Sequence, residues 1–124
     1  MKKIIVLLAF SNIAFTQNIK STKDVEKVLD KLHLYAAEAN AKKYIDLFAD
    51  DAVFFGTDIS ERWPKVEFSK YATDRMSSGT GWTYFMKERN LYFSNDDKTA
   101  WFDEILTNKG YGEFRGTGVL KMVG

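Results

Sequence analysis

A carboxylate that shares a strand face with large apolar side chains is the kind of residue in this chain best suited to chemistry. The run from Thr99 to Leu106 alternates with period two. Trp101, Asp103 and Ile105 fall on one face, and Ala100, Phe102, Glu104 and Leu106 on the other, so each face carries one acid. Desolvation inside an apolar pocket disfavours the ionised form and lifts a carboxyl pKa towards neutrality, which suits a general acid or base. On the following run, Arg115 is spaced to hydrogen-bond such an acid or to clamp an anionic ligand through two bonds, while Glu113 shares its face and competes for the same ion pair. An acid that turns to solvent or pairs with Arg115 would be structural only.

Other chemistries find less support. His33 is the only histidine and there is no cysteine, so no zinc ligand set can be assembled, and no carboxylate run has the spacing of a calcium loop. At the border of an apolar helix face, His33 is expected to be a packed or capping residue. No serine lies in a nucleophile-elbow context. Gly110, Gly112, Gly116 and Gly118 do not match a dinucleotide fingerprint and sit on a hairpin strand, so no cofactor is implied. Tyr35, Phe55, Trp63, Trp82, Tyr84 and Trp101 supply flat apolar surface. Taken as a set they argue for a cavity that takes a small hydrophobic or ring-containing molecule; taken singly, each is a normal core residue.

The elements that would position these residues are readable in order. Ser21, with Asp24 three residues on, suits the N-cap of a helix with apolar positions Val25, Val28, Leu29, Leu32, Ala36 and Ala39. Asn40 is expected to end it in a left-handed turn, and a second helix runs from Ala41 with Tyr44, Ile45 and Phe48 on its apolar stripe. Asp50-Asp51 turns the chain into a short strand, Ala52 to Phe55, closed by Gly56-Thr57-Asp58. Ile59 to Arg62 is a brief strand or turn, Pro64 marks a third helix carrying Phe68, Tyr71, Ala72 and Met76, and Ser77 to Gly81 stops it. The period then changes to two. Trp82 to Phe93, Thr99 to Leu106 and Gly112 to Val123, separated by Asn95-Asp96-Asp97 and Asn108-Lys109-Gly110, form an antiparallel meander. Helices followed by strands define an α+β domain.

At 124 residues, 45% hydrophobic and 15% aromatic, the chain makes one domain with a substantial core. Its formal net charge is +1 with both signs interspersed, which offers nucleic acid no basic track. Lys2-Lys3 followed by the apolar run Ile4 to Phe10 has the form of a secretory leader, too short for a membrane span, with cleavage expected before Gln17. Residues 1–16 are therefore read as a signal peptide and 17–124 as the domain of an exported protein, periplasmic or secreted. The competing reading makes the apolar run a first strand or helix of a cytoplasmic protein.

The run FADDAVFFGTD, from Phe48 to Asp58, together with the Trp-rich meander, resembles the SnoaL-like branch of the nuclear-transport-factor-2-like superfamily. The resemblance implies a cone-shaped α+β fold, three N-terminal helices packed on a curved antiparallel sheet around a central pocket. It also implies one further strand after Gly124, without which the last run would be an unpaired edge open to a second chain. Among catalytic relatives, the ketosteroid isomerases place a base, a tyrosine and a second acid at positions that fall here on Gly56, Leu32 and Gly118, so that activity is not carried over. Asp58 would stand in for the base only if its strand extends that far. The resemblance points to the Asp103 face as the pocket wall, making Asp103 the candidate base and Arg115 its partner or ligand contact. Two functions are then expected: a binder of a small apolar or aromatic molecule, with proton-transfer isomerase, cyclase or hydrolase chemistry at Asp103, or a non-catalytic binding module that homodimerises through the sheet.

Overall fold

A computed structural model of the chain describes residues 22–122 in full and, before them, the backbone of one strand, β1 (Ile4–Leu8). The other elements are α1 (Thr22–Ala37), α2 (Ala41–Asp46), β2 (Val53–Phe55), β3 (Arg62–Pro64), α3 (Lys65–Ser77), β4 (Phe85–Phe93), β5 (Thr99–Asn108) and β6 (Gly112–Lys121). The strands form one sheet in the order β3-β2-β1-β6-β5-β4.

The α1 stripe closes on the sheet as its spacing requires. Val25, Val28, Leu29, Leu32 and Ala36 are buried, against Ala100, Phe102 and Leu120 of the meander. Full burial of such a valine or leucine contributes about 1.5–3 kcal/mol. From α3 come Phe68, Ala72 and Met76, and from α2 and its exit Tyr44, Leu47 and Phe48. The expected left-handed residue between α1 and α2 is Ala39 (φ 55°) rather than Asn40. Asn40 instead caps α2, its side chain accepting a hydrogen bond from the Lys43 N–H at 3.2 Å. Pro64 stands at the N-cap of α3. The next residue, Lys65, is drawn inward, its Nζ donating to the Phe48 carbonyl at 2.8 Å and so satisfying the turn that follows α2.

Two expectations need correction. Trp82 to Tyr84 are not part of β4, which starts at Phe85. Gly81 approaches α1 so closely that a Cβ there would lie 1.7 Å from the Ala36 carbonyl oxygen, and the next N–H, of Trp82, donates to that oxygen at 3.0 Å. This clasp holds Trp82 under the helix instead of in the sheet. The last strand is not an open edge, since β1 pairs with it in parallel and with β2 in antiparallel, and the sheet is accordingly mixed. The Ser21 cap and the cleavage point before Gln17 lie outside the described residues.

Antiparallel pairing of β5 with β4 and β6 sets the faces of the meander. Ala100, Phe102, Glu104 and Leu106 face the helices, and so do Phe114, Gly116, Gly118 and Leu120 of β6. Between Met86 and Glu88 the β4 register slips by one residue. Such a bulge reverses side-chain parity, so Arg89 lies opposite Glu104 on the helix-facing side, where an unbroken strand would have turned it outward. Among the described residues no helix is long and apolar enough to cross a membrane.

Candidate functional site

Between the helices and the sheet lies a cavity of about 250 Å³, slightly smaller than an ordinary ligand pocket of roughly 300–1,000 Å³. Seven aromatic side chains are in its wall. Phe54 stacks on Phe68 at 4.1 Å, Phe68 and Trp82 are parallel at 6.4 Å, and Trp63 stacks on Tyr71 at 5.3 Å. Tyr44 and Tyr84 complete the aromatic lining, Leu32, Ala36 and Leu106 add aliphatic surface, and Gly116 leaves room where a larger side chain would fill the floor.

Polar groups are few and concentrated. Glu104, 1% exposed, accepts a hydrogen bond from His33 Nε2 at 2.9 Å on Oε1 and from Arg89 Nε at 2.7 Å on Oε2. Arg89, 5% exposed, also donates from Nη1 to Asp30 Oδ1 at 2.9 Å. Its Nη2 lies 2.7 Å from Glu104 Oε2 but off the hydrogen-bond direction, buried without an aligned acceptor. Asp30 and His33 are three residues apart on α1, so the Asp30–Arg89–Glu104–His33 chain ties one face of that helix to β4 and β5. Burial alone would push the Glu104 carboxyl up, but the His33 hydrogen bond and charge and the Arg89 guanidinium outweigh it and hold the group below its ordinary range. Glu104 is thus an ionised carboxylate, and its Oε1 holds a proton on His33 Nε2.

Two phenols stand nearby. The Tyr44 hydroxyl is pushed well above its ordinary value by burial and then by the neighbouring Tyr84, and Tyr84 is itself raised chiefly by burial. Both therefore stay protonated, and as hydrogen-bond donors they can meet an oxygen on a guest molecule. Exposed Thr57 and half-buried Glu61 also line the cavity, the Glu61 side chain folding over Gly56 where any Cβ would collide with it.

The residues expected from sequence separate into two groups. Trp63, Trp82 and Tyr84 line the cavity. Asp103 does not: it faces away from the helices, accepting hydrogen bonds from Asn90 at 3.0 Å and Arg115 at 3.2 Å. Its face of β5 is the outer one, so the pocket wall is the Glu104 face. Arg115 and Trp101 lie on that outer side too, Trp101 43% exposed and stacked on Tyr92 at 6.1 Å. Glu113 pairs with Lys87. Tyr35 is partly buried against the core with Lys43 over its ring, Phe55 carries Arg62 over its ring, and Asp58 is an exposed turn residue bonded to Ser60, none of them on the cavity. His33 is more than a packing residue, since it reaches both the cavity and a buried carboxylate.

Helices first, a meander after, and an aromatic hollow between them define the cone-type α+β class. The SnoaL-like domain family matches residues 25–124, and the chain belongs to that family. No curated protein and no solved structure matches it. Of the positions where ketosteroid isomerases keep their chemistry, Leu32 and Gly56 do line this cavity, without a titratable group.

Proposed function

We propose that this SnoaL-like domain admits a small, mostly apolar or aromatic molecule to the cavity, and that His33, oriented by Glu104, takes a proton from it or returns one. The observation that carries this reading is the 2.9 Å bond between His33 and a carboxylate buried to 1% exposure, at the wall of a cavity lined mainly by aromatic and aliphatic side chains. A base backed by a fixed anion keeps its tautomer and gains stabilisation as it becomes charged, the arrangement that general base catalysis needs. The hydroxyls of Tyr44 and Tyr84 would polarise a ligand oxygen as that proton leaves. The reaction class is a proton shift of the isomerase or cyclase type.

Because His33 is the only histidine and the three tryptophans divide between cavity and outer face, one NMR experiment tests the reading. A preparation without a histidine tag is titrated with single-ring aromatic ketones while the His33 ring nitrogens and the indole N–H signals are followed. His33, Trp63 and Trp82 should shift together while Trp101 stays still. Shifts confined to Trp101, or none, would refute cavity binding.

A second reading follows from the outer face, where Tyr92 and Trp101 remain 46% and 43% exposed and stack on each other. A homodimer through that face predicts a dimer mass by light scattering that Trp101→Lys reduces to a monomer. Export is part of the proposal as well. Cleavage before Gln17 would remove β1 and open the β6 edge, and N-terminal sequencing of mature protein tests it.

A further inference from the structure

The cavity's charges bear on the kind of molecule it takes. Among the described residues no lysine or arginine lines it. Its titratable lining groups besides His33 and the tyrosines are two glutamates, and these differ in their neutralisation. Glu104 is held by Arg89 and His33. Glu61, half-buried, makes no side-chain hydrogen bond or ion pair among the described residues, and its side chain folds over Gly56, which also lines the cavity. An unpaired carboxylate in the wall of a ring-lined hollow raises the local concentration of cations and disfavours anions. The negative faces of aromatic rings add to the same preference, most strongly for weakly hydrated organic ammonium groups. Of the positive charges beside the lining, Arg89 is neutralised by Glu104 and Asp30, and Arg75, 5.0 Å over the Trp82 ring, donates to the Gly81 carbonyl from an exposed position where solvent screens it.

We infer that the ligand is a small organic cation, an aromatic or alkyl body carrying an amine or quaternary ammonium group that settles against Glu61. This rests on the cavity reading above and narrows it to a substrate class. With about 250 Å³ available, a single ring with a short ammonium-bearing arm is the appropriate size.

The test compares three probes of one shape: benzyltrimethylammonium, its uncharged carbon isostere neopentylbenzene, and phenylacetate. Each is titrated by tryptophan fluorescence into wild type and Glu61→Gln. The expected result is a roughly tenfold tighter Kd for the cation than for the neutral isostere, weakest binding of phenylacetate, and a preference cut to about threefold or less in Glu61→Gln. Equal or tighter binding of neopentylbenzene overturns the inference but leaves cavity binding standing, as does a preference for phenylacetate. A cation preference that Glu61→Gln does not change removes Glu61 from its assigned role and overturns the inference as stated. Failure of all three probes to bind overturns both the inference and the cavity reading beneath it.

Discussion

Glu104→Gln is the perturbation that separates a buried ionic anchor from a merely polar spot. The substitution keeps the shape of the side chain and one acceptor oxygen but removes the charge facing Arg89, whose guanidinium is 5% exposed. Leaving one buried partner uncompensated costs about 3–5 kcal/mol; Arg89 keeps the more exposed Asp30 and the side-chain shape is conserved, so this variant stands at the lower figure or under it. At about 1.5 kcal/mol per molar urea, that lowers the unfolding midpoint by roughly 2 M. Arg89→Met combined with Glu104→Met should recover most of the loss, because a well-packed apolar pair carries no desolvation cost, apart from about 1 kcal/mol for the acceptor His33 loses. The sign of the pH dependence follows from the carboxyl being held below its ordinary value of 4.5. Its contribution is complete above 4.5 and is lost as pH falls from there through the lowered folded-state value, so wild type should lose stability in that window and Glu104→Gln should lose less. Urea unfolding followed by fluorescence at pH 7 and at several points below 5 measures all of this. A midpoint change under about 0.5 M for Glu104→Gln, or a double variant no better than the single, would refute the anchor.

The other predictions concern neighbouring positions. Gly81→Ala should cost at least about 2 kcal/mol and shift the tryptophan emission, because a Cβ 1.7 Å from the Ala36 carbonyl forces backbone movement beside Trp82; urea unfolding and the emission maximum of the folded protein read both. Tyr44→Phe removes a hydroxyl with no hydrogen bond among the described residues, so calorimetric stability should change by less than about 0.5 kcal/mol while affinity for an aromatic ketone drops several-fold. Asp103→Asn breaks only a half-exposed pair with Arg115, which should cost less than about 1 kcal/mol in urea unfolding and leave cavity binding unchanged in the NMR titration.

Much of the fold was legible because its signals are local. The α1 stripe, the Asp50-Asp51 break, Pro64 at the start of α3 and the two hairpin turns each depend on a few adjacent residues, and each element stands within a few positions of where its pattern put it. What was not legible depends on tertiary placement. Period two on β5 isolates two candidate acids but says nothing about which face meets the helices. The composition of each face did hold a clue: Glu104 travels with Ala100, Phe102 and Leu106, all buried, whereas the Asp103 face carries the half-exposed Trp101. The pairing of β1 with the β6 edge joins segments about a hundred residues apart, and the period of a strand does not name its partner.

The family resemblance pointed to the Asp103 face, and what makes the Glu104 face workable instead is the inserted Lys87. Read as an unbroken strand, β4 places Arg89 on the outer face, with no partner for Glu104, and a buried glutamate without a cation is a costly proposition that sequence reasoning rightly disfavours. With the bulge, parity reverses over the rest of the strand and Arg89 comes opposite Glu104. Burial of the carboxylate then becomes tolerable, and Asp30 and His33 join it from α1. One unpaired residue in an edge strand thus decides which face of the meander can carry ionised chemistry, and so which acid, Glu104 rather than Asp103, stands beside the cavity.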